Sequence, residues 1–154
     1  MKLYVLRRTQ KLPVSKDEAW QFISNPANLA TITPPSMGFT TLSGDERKMF
    51  PGQIIHYTIT PLLGLRMQWV TEITHVDEGN YFVDEQRFGP YSFWHHKHFL
   101  REIPGGVLME DIVHYALPLA ILGEIAHHVF VGRQLEQIFE FRQKKIEELF
   151  GRLL

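Results

Sequence analysis

The chain of 154 residues has no cysteine, which excludes disulfides, thiolate nucleophiles and cysteine-held zinc. It has no charge excess either. Sixteen Lys and Arg face seventeen Asp and Glu, for a formal net charge of -1, so there is no global field to draw nucleic acid or an anionic membrane. Long apolar runs are missing as well: the most apolar stretch, Tyr115 to Gly123, is about half of what a membrane-spanning helix needs. Met1 to Gln10 has no apolar segment ahead of Arg7 and Arg8, unlike a secretory signal. The expectation is a soluble, cytoplasmic protein with no membrane span and no nucleic-acid partner. No phosphate-cradling glycine loop, dinucleotide fingerprint or serine–histidine–acid order occurs, and Gly105-Gly106 reads as a hairpin turn. No repeat or low-complexity linker divides the chain, so residues 1–154 are expected to form one domain.

Among the features present, the last third of the chain has the strongest pattern. Leu135, Ile138, Phe139, Ile146 and Leu149 recur at three-or-four spacing, the mark of a helix with one buried face. The expected helix runs from about Pro118 to Phe150, roughly 45 Å at 1.5 Å per residue. Its C-terminal half has a clean apolar stripe and should grip the core. Its N-terminal half is apolar nearly all round and contains Gly123 and Gly132, which weaken a helix; that half is expected to wall, and to gate, a pocket. Arg133, Arg142, Lys144, Lys145, Glu147 and Glu148 read as a solvated face.

Upstream the period is that of strands. Lys2 to Leu12 suits a first strand. Ser15 with Glu18 is a capping box that opens a short helix through Trp20 and Ile23. A second short helix is expected from Pro26, stopped by Pro34-Pro35. Six further strands follow, at 38–42, 53–60, 65–76, 81–88, 91–103 and 107–117. Short turns such as Pro51-Gly52, Glu78-Gly79-Asn80, Gly89-Pro90 and Pro104-Gly105-Gly106 separate them. Connections this short force antiparallel neighbours. The fold class is therefore α+β: a seven-stranded curved antiparallel sheet wrapped around one long C-terminal helix, with two short helices between strands 1 and 2. One helix cannot cover both faces of so wide a sheet, so the sheet must curl and leave a cavity beneath the helix.

This order carries particular residues: Asn25-Pro26-Ala27-Asn28-Leu29, Ile32-Thr33-Pro34-Pro35, Phe82-Val83-Asp84-Glu85-Gln86 with Gly89-Pro90, Trp94-His95-His96-Lys97-His98, and Asp111-Ile112-Val113-His114-Tyr115. Together they resemble the helix-grip fold of the START-like superfamily, also called SRPBCC. That superfamily includes birch-pollen-allergen-like proteins, steroidogenic-lipid-transfer domains and polyketide cyclases. Within it the chain is similar to a bacterial group described as ligand-binding, or loosely as cell-division-inhibitor-like. The resemblance implies a pocket between sheet and helix and assigns no catalytic residue.

The densest polar cluster falls on strands 81–88, 91–103 and 107–117. Trp94, His96 and His98 share one strand face and are expected to point inward, because Lys97 and Arg101 belong in water. On the neighbouring strands alternation alone leaves the inward face open. The expected lining is Trp69, Glu85, Arg87, Trp94, His96 and His98, then Asp111 and Tyr115, and from the helix Ile125, Ala126 and Val129. His96 and His98 with a carboxylate from a neighbouring strand have the composition of a two-histidine, one-carboxylate metal site. The preferred reading is a polar wall in which the histidines bond to Asp111, Glu85 or Tyr115, with no metal and no cofactor assigned. The function expected is binding of a small, largely hydrophobic molecule (lipid, aromatic or polyketide-like). The rival is an acid–base enzyme of the cyclase or dehydratase type using His96, His98, Asp111 and Glu85. A third reading is a regulatory module that meets a protein partner through Leu119 to Val131.

Overall fold

The computed structural model describes residues 2–62, 64–119, 125 and 127–153. The chain opens with β1 (Tyr4–Leu12) and α1 (Lys16–Ile23), passes two single 3-10 turns (Pro26–Asn28 and Pro35–Met37), and continues through β2 (Thr40–Ser43), β3 (Gln53–Leu62), β4 (Leu65–Asp77), β5 (Tyr81–Phe88), β6 (Phe93–Ile103) and β7 (Gly106–Ala116). A π-helical turn, His127–Val131, leads into the long helix α2 (Gly132–Phe150). One seven-stranded sheet results, in the order β1-β7-β6-β5-β4-β3-β2. Every pairing is antiparallel. The first strand closes against the last, and the rest is a meander, as short turns require.

Local chemistry explains the element ends. The Ser15 hydroxyl accepts from the Glu18 amide at 3.1 Å and caps α1. Asn25 does the same for Ala27 ahead of the first 3-10 turn. Gly38 turns the chain into β2 with φ +54°, and a Cβ there would fall 2.2 Å from Thr60 Oγ1, so only glycine fits. Register shifts at Thr41/Ser43, Ile59/Leu62, Val70/Thr71 and Ile73/His75 interrupt the ladders of β2 to β5. Extra residues of this kind bend and twist a strand, which lets that half of the sheet curl over α2.

Two clusters of buried side chains lie on the concave side. One, at the closed end, joins Leu12, Trp20, Phe82, Val107 and Ile146. The other gathers Leu6, Tyr57, Trp69, Trp94, Val113 and Phe139. The helix serves both through the buried stripe Leu135, Phe139, Arg142 and Ile146.

Pro118 and Leu119, at the expected helix start, are not helical. Leu119 has φ +66°, a left-handed conformation that a right-handed helix cannot pass through. Of the half expected to wall and gate the pocket, Gly123 lies outside the described residues, and Gly132 opens α2. Among the described residues no helix is long and apolar enough to cross a membrane.

Candidate functional site

Between the concave sheet and α2 lies a cavity of about 560 Å³. Its aromatic wall comes from cross-strand pairing. Tyr57 on β3 stands directly opposite Trp69 on β4, and opposed residues of an antiparallel pair share a face. Their rings stack at 5.9 Å. Trp94 meets Trp69 edge-on at 5.2 Å, and Tyr91 closes the group at 5.5 Å from Trp69. Four interlocked rings hold one another's orientation, so this wall is pre-formed. The opposite wall is α2, through Leu135, Ile138 and Phe139. Half-exposed Met67 and Phe130, with exposed Leu119, form the lip.

An ionisable patch of the wall lies on β5 and β6. Trp94, His96 and His98 alternate onto the concave face of β6. The β5–β6 register pairs Asp84 with His96 and Phe82 with His98, and β7 brings Asp111 opposite His98. Four groups thus converge from three strands. Asp111 Oδ1 lies 3.0 Å from His96 Nε2 and 2.9 Å from His98 Nδ1. Asp84 Oδ2 lies 2.7 Å from His98 Nε2 and 3.4 Å from His96 Nδ1. The imidazole centroids are 3.7 Å apart. Trp94 Nε1 donates to Asp84 Oδ1 at 3.3 Å. From α2, Arg142 reaches down to within 3.5 Å of Asp111. His96, His98, Asp111 and Arg142 are all buried.

Electrostatics separates the two histidines. Burial pushes His98 down, but hydrogen bonds to Asp111 and Asp84 outweigh it and hold its pKa above the ordinary value. His96 stays below the ordinary value, because burial and the charge of His98 outweigh both carboxylates. Burial would raise the Asp111 carboxyl; the Arg142 charge and the two histidine bonds instead hold it well below the usual range. Asp84 is lowered in the same way, against burial, by the histidine pair and the Trp94 N–H. Of the two rings, His98 is thus the one whose charged form is favoured between the carboxylates, and Arg142 supplies a fixed positive charge beside Asp111. Buried charge is tolerated when it is paired like this.

The structure distributes the residues singled out in the sequence unevenly. Trp69, Trp94, His96 and His98 line the cavity. Asp111 stands directly behind the histidines. Tyr115 is buried one layer back, stacked on Tyr4 at 5.5 Å and edge-on to Tyr91 at 5.9 Å. Glu85 and Arg87 do not face the cavity. They occupy the other face of β5, where Arg87 bonds Glu72 at 2.5 Å and reaches Glu85 at 3.5 Å; the even-numbered Phe82 and Asp84 point inward in their place. Ile125 and Val129 are 56% and 76% exposed and are not among the lining residues; among the described residues the helical wall runs from Phe130 to Arg142. Ala126 is outside the described residues. Arg142, expected in water, is 8% exposed.

The two missed residues, Asp84 and Arg142, had signals in the sequence. A β5–β6 hairpin centred on Pro90 places residue 84 opposite 96 and 82 opposite 98, so an inward His96 requires an inward Asp84. Arg142 follows Leu135 by seven, follows Phe139 by three and precedes Ile146 by four, which sets it on the apolar stripe.

No protein-family model matches the chain, and no curated protein does. Solved structures do. The chain superposes on protein TTHA0849 from Thermus thermophilus with a TM-score of 0.74 at 13% identity, covering 94% of this chain and 95% of that one. On protein Ms6760 from Mycobacterium smegmatis the TM-score is 0.67 at 18% identity, covering 97% and 96%. On the major latex-like protein 151 from Panax ginseng it is 0.68 at 12% identity, covering 96% and 97%. The class this defines is a fold, the helix grip: seven antiparallel strands curved around a C-terminal helix. At these identities the likeness is one of fold.

Proposed function

We propose that this chain is a single-domain cytoplasmic binding protein for a small, largely hydrophobic molecule of lipid, aromatic or polyketide-like character. The observation that carries the reading is the cavity. Its volume of about 560 Å³ falls inside the range of roughly 300–1,000 Å³ typical of small-molecule sites. Its walls are mainly aromatic and aliphatic, with an ionisable patch formed by Asp84, His96 and His98. Apolar contact supplies most of the affinity in such a site, and convergent polar groups set orientation. An oxygen-bearing end of the ligand would meet the histidines, and its apolar body would lie along Trp69, Tyr57 and Ile138.

The test is native mass spectrometry of untagged protein for a co-purifying molecule, followed by thermal shifts across lipids and phenolics. A bound mass, or a ligand that raises Tm and quenches the fluorescence of Trp69 and Trp94, supports the reading. A protein that arrives empty and responds to none of the panel sinks it.

One observation favours acid–base catalysis as a second reading. His96 and His98 are shifted in opposite directions 3.7 Å apart on the cavity wall, an arrangement that separates an acid from a base. A turnover lost in His96→Ala, with ligand affinity retained, would select the enzyme over the carrier.

A further inference from the structure

The geometry points to a binding site for one divalent first-row transition cation on Asp84, His96 and His98, at the cavity wall. One donor atom from each of the three lies within 4.8 Å of the others. Asp84 Oδ2 is 2.7 Å from His98 Nε2 and 3.4 Å from His96 Nδ1. Ligands sharing one metal at bond lengths of about 2.0–2.2 Å stand roughly 3.0–3.4 Å apart. Asp84 Oδ2 is thus near a chelating separation from both rings, and the two ring nitrogens, within 4.8 Å of each other, draw together to share an ion. Two imidazoles and a carboxylate suit zinc, ferrous iron or cobalt better than calcium or magnesium, which take all-oxygen sites.

What surrounds the three donors strengthens the assignment. A metal-bound histidine ordinarily gives its other ring N–H to a carboxylate, which fixes tautomer and orientation. Here a single oxygen does this for both rings: Asp111 Oδ1 is 3.0 Å from His96 Nε2 and 2.9 Å from His98 Nδ1. With those two N–H groups engaged on Asp111, the remaining nitrogens, His96 Nδ1 and His98 Nε2, both turn towards Asp84. Trp94 Nε1 holds the second oxygen of Asp84 at 3.3 Å, and Arg142 beside Asp111 favours its ionised form.

Asp84, His96 and His98 line the cavity, whereas Asp111 is not among its lining residues. Open coordination positions would therefore face the ligand space, as in sites that bind or activate a ligand rather than merely staple a fold. Resting on the binding reading above, the ligand would be a hydrophobic molecule with an oxygen donor (an enolate, a catechol or a carboxylate) placed on the metal. This departs from the metal-free polar wall expected from the sequence.

The experiment is a Co²⁺ titration of untagged, chelator-treated protein, read by visible ligand-field absorption, with Zn²⁺ competition and metal analysis for stoichiometry. Expected are one ion per chain, loss of binding in His96→Ala and Asp84→Ala, a roughly 10–100-fold weakening in Asp111→Asn, and no change in His95→Ala, which alters the other face of β6. A wild-type protein that takes up no stoichiometric Co²⁺ or Zn²⁺ overturns the site. So does a His96→Ala/His98→Ala protein, folded by circular dichroism, that binds as the wild type does. If the variants do not fold, the wild type decides alone: Zn²⁺ must raise its Tm and displace the Co²⁺ band, and a wild type that shows neither overturns the proposal. A protein that binds Co²⁺ yet no lipid or phenolic keeps the metal site and removes the oxygen-donor ligand.

Discussion

At the scale of single residues, the buried ion cluster carries the largest stakes. Asp111 is in contact with His96, His98 and Arg142, so its removal leaves the Arg142 guanidinium without its carboxylate in a low-dielectric interior and takes one carboxylate contact from each histidine. Asp111→Ala should cost about 3–5 kcal/mol, the usual toll for breaking a buried pair from one side, measured by urea unfolding. Arg142→Met should cost less, because Asp111 keeps both histidine bonds and Met suits the apolar stripe of α2. The double variant should be more stable than the two losses added together predict, since the charges that each single change strands are partly absent. A strictly additive cycle would mean that the pair is not energetically coupled. Gly106 has a different, steric role. A Cβ there would sit 1.9 Å from the Leu12 carbonyl oxygen, and backbone cannot yield as a flexible side chain can. Gly106→Ala should therefore lower stability by about 1–3 kcal/mol, seen as a lower urea midpoint at unchanged m-value.

At the scale of elements, α2 divides its work along its length. Ile146 is 1% exposed in the closed-end core, whereas Val129 in the preceding π turn is 76% exposed. Ile146→Ala should cost about 2–5 kcal/mol. Val129→Ala should stay within about 0.5 kcal/mol, as surface changes do. Equal losses at the two positions would contradict a grip confined to the C-terminal half. The same contrast shows what could be read ahead of the structure. Strands and their order were legible because turn residues punctuate them: Glu78-Gly79-Asn80 and Pro104-Gly105-Gly106 mark hairpins whatever the tertiary context. Face selection was less legible. β5 carries polar groups on both sides, so composition could not choose between Glu85 and Asp84; only its register against β6 does. Charge misled at Arg142, where spacing pointed inward and residue type pointed outward. The break at Leu119 was hidden because it takes a left-handed conformation that is rare for its residue type.

At the scale of the whole molecule, the cavity separates two cores that share one sheet and one helix, and buried hydroxyls lie along it. Tyr57 bonds Thr71 at 3.1 Å, and burial, opposed only in part by that bond, drives its pKa far above the ordinary value. Tyr91 is raised as well, by burial and then by Tyr115. Both phenols keep their protons in the folded state while the unfolded chain loses them near pH 10. Their contribution is therefore fully present below about pH 10 and is lost as pH rises from there towards the folded values. Above that pH the unfolded state binds fewer protons, and stability should fall by up to about 1.4 kcal/mol per pH unit for each tyrosine. The expected outcome is a urea midpoint that does not respond to these two groups from neutral pH to about 10 and then drops steeply, with their tyrosinate absorbance appearing only as the chain unfolds. A ligand that fills the cavity against Tyr57 and Tyr91 binds the folded state alone, so it should move the alkaline transition upward in proportion to the logarithm of its concentration. Tyr57→Phe should flatten the fall by one proton while leaving the cavity's shape almost unchanged. Tyrosinate that forms in the folded protein near pH 10 would show instead that water reaches these hydroxyls freely and that the wall between the two cores is open.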